Sequence, residues 1–452
     1  MSHSADTICA LASAVGKGGV SVVRVSGSCV LPIVHAISGK TPLPRHAVLS
    51  DFSDITGNVV DSGLLLFFAG PHSFTGEDVC EFHCHGSPVV VDLLLQTLVD
   101  HGARLARPGE FSERAFLNGK IDLTQAEAIA DLIDSCSAQA ARHAVRSLQG
   151  DFSKMIAALA EEVIAIRSYV EAAIDFSDEE IDFLSSGQIA SRLETLDRRI
   201  DSILESAKTG SVLREGLNVV IAGEPNVGKS TLLNALCGSD IAIVTPIAGT
   251  TRDMIRHELL LDGFPLHITD TAGLRESEDP VEAEGIRRAR VAISNADHVL
   301  LLVDAKDKSS IESLPLWQEL NSQSLPSLTI VFNKIDLLGT PPSMRVIGSN
   351  TFIELSASTG SGLDTLKQHL LKCAGVQNGT DGGFMARRRH LVALKQTRAS
   401  IRAAISCLRN KLGLELIAEE LRLTQLALDE IVGKFSTDDL LGTIFSSFCI
   451  GK

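Results

Sequence analysis

Residues 223–230, GEPNVGKS, carry glycine, lysine and serine at the spacing G-x-x-x-x-G-K-[ST], which holds nucleotide phosphates. The motif follows an apolar run, LNVVIAG, that predicts a buried strand, and it precedes a helical pattern, TLLNALCG. In that context, backbone N–H groups and a helix N-terminus cradle phosphate. We expect Lys229 to neutralise the β- and γ-phosphates and the Ser230 hydroxyl to coordinate Mg²⁺.

Base selection is predicted from residues 333–336, NKID, after the strand pattern SLTIVF. A carboxylate such as Asp336 can accept two hydrogen bonds from guanine N1 and its exocyclic amine, and adenine offers no such pair. Residues 270–273, DTAG, supply an acid near Mg²⁺ and a glycine N–H that can sense the γ-phosphate. Residues 356–358, SAS, follow the NKID segment after one further strand. Together these motifs resemble the binding set of the translation-factor-related GTPases, so the predicted nucleotide is GTP.

Water activation needs an unusual solution, because Leu274 stands where many GTPases have a water-orienting glutamine. Asn226 and the polar segment 245–250 offer hard neutral ligands that suit a monovalent cation, and K⁺ there would replace the charge of an arginine finger. This resembles the K⁺-dependent, dimerisation-activated GTPases. Arg252 and Arg275 are alternative fingers.

That resemblance also implies the metal ligands. For K⁺ they are Asn226, Thr245, Ile247 and Thr250, and for Mg²⁺ they are Ser230 and Thr251. Glu282 and Glu284 either orient water through a bridging molecule or are solvated acids at a helix start. The catalytic candidates are Lys229 and Glu282, and the predicted GTP-binding residues are Asn226, Val227, Gly228, Lys229, Ser230, Thr231, Thr245, Pro246, Ile247, Ala248, Gly249, Thr250, Thr251, Asp270, Thr271, Ala272, Gly273, Asn333, Lys334, Asp336, Ser356, Ala357 and Ser358.

The bulk composition narrows the class of protein. The chain has 452 residues, 44% of them apolar, a length that suggests about three domains. No run approaches the ~20 apolar residues of a membrane span, and no secretory signal is recognisable at the N-terminus, so we expect no membrane association. Nine scattered cysteines without a C-x-x-C pair indicate reduced thiols and a cytoplasmic location. A net charge of −15 argues against non-specific nucleic-acid binding.

The pattern of apolar residues changes along the chain and predicts a multidomain α/β protein. Residues 1–118 mix strand patterns at 20–27 and 63–71 with an amphipathic helix at 88–105, an α+β domain. Residues 119–213 and 376–452 show helical spacing, with Gly150 at a join, and predict one discontinuous all-α domain. Residues 214–375 alternate buried strands with helices and predict an inserted Ras-like P-loop domain, a parallel sheet flanked by helices.

Three further stretches are similar to the MnmE (TrmE) family of tRNA wobble-uridine modification GTPases. They are TGEDVCEFHCHGSPVVVDLLL (75–95), RPGEFSERAFLNGKIDLTQAEAIADLI (107–133) and the terminal FCIGK. The resemblance covers essentially the whole chain. It implies an N-terminal dimerisation domain that is similar to tetrahydrofolate-binding domains and binds 5-formyl-tetrahydrofolate. It also implies a homodimer with transient pairing of the GTPase domains, and a heterotetramer with the flavin- and NADH-using protein MnmG.

In that family the two proteins install a carboxymethylaminomethyl or aminomethyl group at C5 of uridine 34 of tRNA. Carried over by motif, the implied folate-binding residues are Arg24, Glu81, Lys120 and Lys452. A carboxylate suits the amide and amidine edge of the pterin, and cations suit the glutamate tail. Lys17 in GKGGV departs from the family's arginine, which weakens the folate contacts expected of that loop.

Two cysteine-containing stretches admit several interpretations. Cys80, His83, Cys84 and His85 invite a metal site, but strand alternation places the histidines on one face and the cysteines on the other, which favours core thiols. Cys449 has the spacing of a C-a-a-X box, but the ending lacks an aliphatic pattern and a polybasic segment. The resemblance places it near one-carbon chemistry, as a catalytic or a packing residue. A ribosome-assembly or RNA-chaperone switch GTPase with the same K⁺ mechanism is the alternative function.

Overall fold

The computed structural model describes residues 6–175, 188–238, 256–270, 291–294, 296–308, 317–318, 327–348, 350–374, 383–434, 438–446, 448 and 451. The chain divides into two compact units. Unit 1 contains Met1–Ile133, Ser147–Leu193 and Ala399–Lys452, and unit 2 contains Asp134–Arg146 and Glu194–Arg398. This division assigns helices to both sheet-containing units, so the domain limits after residues 118, 213 and 375 stay predictions.

Unit 1 is built on a six-stranded sheet. Its strands are β1 Thr7–Leu11, β2 Gly18–Ser26, β3 Ala47–Ser53, β4 Val59–Phe68, β5 Val79–Gly86 and β6 Ala103–Leu105. They lie in the order β3-β4-β5-β2-β1-β6, antiparallel except for β1 and β6. Helices α1 Val30–Ser38 and α2 Pro88–Asp100 share an apolar core with this sheet, in which the rings of Phe52 and Phe82 meet edge to face at 5.3 Å.

The predicted strands at 20–27 and 63–71 are confirmed in β2 and β4, apart from their ends. The helix predicted over 88–105 is too long. It ends at Asp100, and Gly102, with φ of 98°, turns the chain into β6.

Further helices are α3 Glu110–Leu117, α4 Leu123–Ile133, α5 Ala138–Leu148, α6 Asp151–Asp175, α7 Gln188–Glu215, α8 Lys229–Cys237, α9 Leu363–Cys373, α10 Arg388–Arg409, α11 Leu414–Val432 and α12 Asp438–Ser446. Gly150, with φ of 83°, forms the predicted join between α5 and α6.

Helices α6 and α11 pack against each other in unit 1. Helix α6 buries residues at alternating steps of four and three, namely Phe152, Ile156, Leu159, Val163, Ile166 and Val170. This spacing places them on one helical face. Helix α6 precedes the unit 2 sheet in the sequence and α11 follows it, so two helices distant in the chain pack together in unit 1.

Unit 2 is built on a seven-stranded sheet. Its strands are β7 Leu217–Gly223, β8 Arg256–Leu261, β9 Phe264–Asp270, β10 His298–Asp304, β11 Leu328–Asn333, β12 Ser343–Ile347 and β13 Asn350–Glu354. They lie in the order β12-β13-β11-β10-β7-β9-β8. The five inner strands are parallel, and the edge strands β8 and β12 are antiparallel to their neighbours.

Helices α8 and α9 cover one face of this sheet and share its apolar core. The predicted α/β fold class is therefore confirmed, with two edge strands that the sequence did not predict. Within the described part of the chain, every helix is too short or too polar to cross a membrane.

Candidate functional site

Residues 223–230 form a tight turn between β7 and α8. Gly223 has φ of 152°, and a Cβ there would lie 2.4 Å from the carbonyl oxygen of Leu302. Gly228 caps α8 with φ of 100°, and a Cβ there would lie 2.4 Å from Asn333 Nδ2. Both positions therefore require glycine. The turn brings the backbone around the N-terminus of α8, the arrangement that binds phosphate.

Lys229 is the first residue of α8 and is only 8% exposed. Its Nζ donates to the carbonyl oxygens of Gly223 and Glu224, at 2.7 and 2.8 Å, so the turn itself holds the ammonium group. A buried ammonium needs such oxygen partners, and phosphate oxygens are suitable ones. Ser230 and Thr231 follow on the exposed side of the helix, where the Ser230 hydroxyl is accessible to a cation.

Asn333, the last residue of β11, connects the phosphate loop to the SAS segment. It is 2% exposed. Its Nδ2 donates to the carbonyl oxygen of Val227 at 2.9 Å, and its Oδ1 accepts from the N–H of Ala357 at 2.9 Å. One buried amide therefore fixes two loops that the sequence separates by 130 residues.

Lys334 makes a second link to the phosphate loop. It has φ of 68°, and its Nζ donates to the carbonyl oxygen of Asn226 at 2.7 Å and to Asp304 Oδ2 at 2.8 Å. The hydrogen bond from Lys334 lowers the pKa of the Asp304 carboxyl. Asp304 was missed by sequence reasoning. The available signal was an acidic residue at the carboxyl end of a predicted parallel strand.

The remaining guanine-recognition candidates surround Asn333. Asp336 lies in a 3-10 helix, Ile335–Leu338, and is exposed, so its carboxylate is accessible to a base. Ser356 is buried, with its Oγ 3.0 Å from Ser358 Oγ. Asp336 and Ser358 are exposed and Lys334 is partly exposed, whereas Asn333 and Ser356 are buried.

Several predicted residues lie outside the described part of the chain. They are Thr245, Pro246, Ile247, Ala248, Gly249, Thr250, Thr251, Thr271, Ala272, Gly273, Glu282, Cys449 and Lys452. The alternative arginine fingers Arg252 and Arg275, together with Leu274 and Glu284, also lie outside the described residues. Asp270 ends β9 and pairs with Ile221 of β7, which places its backbone at the same sheet edge as the phosphate loop.

A second candidate site lies in unit 1, where Arg24 and Glu81 face each other on the paired strands β2 and β5. Arg24 Nε and Nη2 both donate to Glu81 Oε1, at 3.1 and 3.0 Å. The guanidinium also lies over the rings of Phe74 and Phe111, 5.7 and 5.8 Å from their centroids. Both side chains stay partly exposed, at 23% and 16%. The aromatic platform was not predicted, because neither phenylalanine is near Arg24 in sequence.

Lys120 lies against the loop that also carries Phe74. Its Nζ donates to the carbonyl oxygen of Pro71 at 2.8 Å, and its stem packs on Gly76. The chain terminus reaches the same sheet: Gly451, with φ of 96°, is packed so closely that a Cβ would lie 2.0 Å from the carbonyl oxygen of Leu11. Leu11 pairs with Val23, the neighbour of Arg24. Arg24, Glu81, Lys120 and the residue before Lys452 are therefore all associated with the β1–β2–β5 region and its loop.

A network of charged side chains holds the loop next to the Arg24–Glu81 pair. Arg114 on α3 donates to Glu77 and Glu110, and Glu77 also accepts from Ser26 Oγ at 2.7 Å, which fixes the loop carrying Phe74. Burial alone raises the pKa of Glu110. Hydrogen bonds from Arg104, the Arg107 N–H and Arg114 outweigh burial and lower that pKa to about 2.

The stretch from Cys80 to His85 behaves as strand alternation predicted. It lies in β5, with Cys80 and Cys84 buried in the core, His83 partly buried and His85 exposed. His85 Nδ1 is 2.8 Å from Asp61 Oδ1, and His83 Nε2 is 3.4 Å from Glu81 Oε2. The four side chains do not converge on one point.

Comparisons with known proteins cover the whole chain. The family model described as "GTP-binding protein TrmE N-terminus" matches residues 7–120, and the one described as "MnmE helical domain" matches residues 123–449. The tRNA modification GTPase MnmE of Methylococcus capsulatus is 55% identical over 447 residues, with 99% of each chain covered. The protein of the same name from Stutzerimonas stutzeri is 54% identical over 450 residues, again with 99% of each covered.

Among solved structures, the G domain of the FeoB iron transporter of T. maritima is 24% identical. That match covers 35% of this chain and 98% of the G domain, with a TM-score of 0.27, which by itself supports no conclusion about the fold. The full-length identity above 50% and the two family models are sufficient to assign the family. This chain belongs to the MnmE family of tRNA modification GTPases.

Proposed function

We propose that this protein hydrolyses GTP in a tRNA modification reaction. Two observations support the proposal: membership of the MnmE family, and a phosphate loop tied by Asn333 to the segment that follows β13. The observation that carries the nucleotide assignment is the position of residues 333–336, at the carboxyl edge of the sheet beside the phosphate loop. There Lys229 binds phosphate oxygens, Ser230 offers a Mg²⁺ ligand, and Asp336 pairs with guanine.

The hydrolytic step is proposed to depend on K⁺ and on pairing of two GTPase domains. Of the implied K⁺ ligands, Asn226 lies within the described residues. Its φ is 64°, its side chain is exposed, and its carbonyl is held by Lys334. An exposed amide at that point in the phosphate loop suits a monovalent cation. The bound cation supplies positive charge next to the phosphates. Glu282 is proposed to orient the attacking water, and Thr251 to join Ser230 on Mg²⁺.

Unit 1 is proposed to bind 5-formyl-tetrahydrofolate, which supplies a one-carbon unit when bound. The donor set fits the pterin end of this group, because Glu81 offers a carboxylate to the amidine edge and Arg24, bonded to the same carboxylate, holds it in place. Lys120 is the other implied cation among the described residues and is proposed to bind the glutamate tail. Lys452 and Cys449 are proposed to complete the site, since Gly451 is packed against β1. This protein and the flavin-dependent partner MnmG are proposed to act together in adding a carboxymethylaminomethyl or aminomethyl group at C5 of uridine 34 of tRNA.

A homodimer through the N-terminal domain is proposed as well. Leu49 and Leu64 are paired across β3 and β4 and are 65% and 42% exposed, so this sheet face presents apolar surface. Such a surface suits a second copy of the chain better than it suits water.

Nucleotide preference is the direct test of the site. We expect the protein to hydrolyse GTP and not ATP, and an Asp336→Asn variant to lose GTP and accept xanthosine triphosphate, whose 2-oxo group needs a donor. Asp307→Asn, on the exposed end of the neighbouring 3-10 turn, is the matched control. Unchanged GTP preference in Asp336→Asn would contradict the assignment.

Wobble-nucleoside analysis of tRNA from a strain lacking the gene tests the substrate. We expect the carboxymethylaminomethyl or aminomethyl group to disappear from uridine 34. Normal wobble nucleosides combined with defective ribosome assembly would favour the alternative function instead.

A further inference from the structure

A histidine–cysteine cluster lies in unit 2, at the sheet edge opposite the phosphate loop. His298 is the first residue of β10 and Thr329 the second of β11, both at the amino-terminal ends of these strands. His369 and Cys373 are four residues apart on α9, which places them on one face of that helix. The six-residue rise of β10 from His298 to Asp304 separates the cluster from the nucleotide site by about 20 Å. The proposed GTP reaction therefore does not use these side chains.

The donor atoms of the cluster converge. One ligand atom from each of His298, His369 and Cys373 lies within 4.8 Å of the others. Cys373 Sγ is 3.5 Å from His369 Nε2. The Thr329 hydroxyl lies between the two rings, 3.0 Å from His298 Nε2 and 2.7 Å from His369 Nε2. In a tetrahedral zinc site with bonds of 2.0–2.3 Å, neighbouring ligand atoms lie roughly 3.3–3.8 Å apart, so only small adjustments are needed.

Both histidines face the cluster with Nε2, where the Thr329 hydroxyl is the shared partner, and the Nδ1 atom of each ring lies on the side away from that hydroxyl. His298 is 1% exposed and His369 8%, and the Nδ1 atom of each has no hydrogen-bond partner among the described residues. The Thr329 hydroxyl has one proton, so it can donate to only one of the two rings and must accept from the other. Buried imidazoles that serve only in packing normally find partners for their nitrogens.

An ion can reach the cluster from solvent, because Cys373 is only partly buried. Neutral imidazole is the form that binds metal.

We propose that His298, His369 and Cys373 bind a zinc ion that ties the last turn of α9 to the amino-terminal ends of β10 and β11. Two imidazoles and a thiolate are a ligand set that zinc accepts, and the Thr329 hydroxyl or water takes the fourth position. Binding forms a Zn–S bond from the Cys373 thiol and releases the thiol proton to solvent, with no change in oxidation state.

Zinc binding by the full-length protein tests the proposal. The protein is dialysed against a chelator, saturated with GDP and Mg²⁺ to occupy the nucleotide site, and titrated with Zn²⁺, with bound metal measured by elemental mass spectrometry. We expect one tight site per chain. In Cys373→Ser, zinc affinity should fall by at least roughly tenfold, because a ligand is lost. The matched control is Cys407→Ser, another partly buried helical cysteine, which should bind zinc as the wild type does.

Alkylation provides a readout that needs no variant. Zn²⁺ should protect the Cys373 peptide of the wild type from iodoacetamide, whereas Cys407 should react equally with and without the ion. The emission of Trp317, the only tryptophan, reports the core of unit 2 and shows whether Cys373→Ser is folded. The proposal is overturned if wild-type protein binds no zinc. It is also overturned if Cys373→Ser binds zinc as tightly as Cys407→Ser, or if Cys373 is not protected.

Discussion

Asn333 Nδ2 donates to the carbonyl oxygen of Val227 at 2.9 Å, so the residue that ends β11 holds the phosphate loop in place. The same side-chain amide accepts from the N–H of Ala357. The segments proposed for phosphate binding and base recognition therefore share one buried side chain as a hydrogen-bond partner.

Replacing Asn333 with alanine is expected to weaken nucleotide binding. The change leaves the Val227 carbonyl and the Ala357 N–H buried without this partner, and each unsatisfied group costs about 1–3 kcal/mol. Since the bound state needs both loops in place, we expect GDP affinity to fall at least about tenfold. Fluorescent GDP titration measures this. Asn410→Ala, an exposed asparagine on a helix end, should bind GDP normally.

The Arg24–Glu81 pair leads to a prediction for the second site. In Glu81→Gln the charge-assisted hydrogen bonds to Arg24 are lost, and so is the carboxylate offered to the pterin; such bonds contribute about 1.5–3 kcal/mol. We expect the affinity for 5-formyl-tetrahydrofolate to fall by about 10- to 100-fold in calorimetric titration, with GDP affinity unchanged. Glu113→Gln removes a different arginine-paired carboxylate of unit 1 and is the control. Equal folate binding by both variants would remove Glu81 from the site.

The sequence predicted features that depend on residues close together in the chain better than features that depend on contacts between distant residues. The phosphate loop and the NKID segment were predictable because their function depends on residues adjacent in the chain. The Lys334–Asp304 contact and the platform of Phe74 and Phe111 under Arg24 were not, because they depend on strand order and on distant loops.

Two edge strands and the histidine cluster were also missed, because the strand β12 has no continuous apolar run and the histidines are far apart in the sequence. Strands β8 and β12 are edge strands, and in β12 the pattern SMRVI lacks the continuous apolar run of the inner strands. His298 and His369 are 71 residues apart, and only the packing of α9 on the sheet brings them together.

Acid sensitivity of unit 1 is predicted from Glu110, whose side chain is 3% exposed. Its pKa is lowered to about 2 in the folded protein, so the unfolded chain takes up this proton at a higher pH than the folded chain does. The resulting stability, about 3 kcal/mol, is present above pH 4.5 and is lost as the pH falls through about 2. Glu110→Gln should therefore be less stable than wild type at pH 7, and the difference should shrink as the pH falls below 4.5.

Urea-dependent hydrogen exchange of peptides covering α3 measures this difference. Glu113→Gln, whose carboxylate is more exposed, should follow the wild type at every pH. A gap between Glu110→Gln and wild type that stays constant from neutral to acid pH would show that the Glu110 charge does not stabilise the fold.

The position of the C-terminal tail is predicted to depend on Gly451. Its φ is 96°, and a Cβ added there would lie 2.0 Å from the Leu11 carbonyl oxygen, which leaves no room for a side chain. Gly451→Ala should therefore displace residue 451 from β1, and Lys452 and Cys449 are within two residues of it in the sequence. We expect folate affinity to fall while GDP affinity stays unchanged, and exchange of amides in the terminal peptide to accelerate.

Gly442→Ala is the matched control for the tail, since a Cβ there meets no atom within 4 Å and alanine favours the helix that contains it. This variant should bind folate at least as well as the wild type, because it leaves the contact between Gly451 and β1 intact. If Gly451→Ala binds folate as Gly442→Ala does, the tail takes no part in the folate site, and Cys449 loses its proposed place in the one-carbon chemistry.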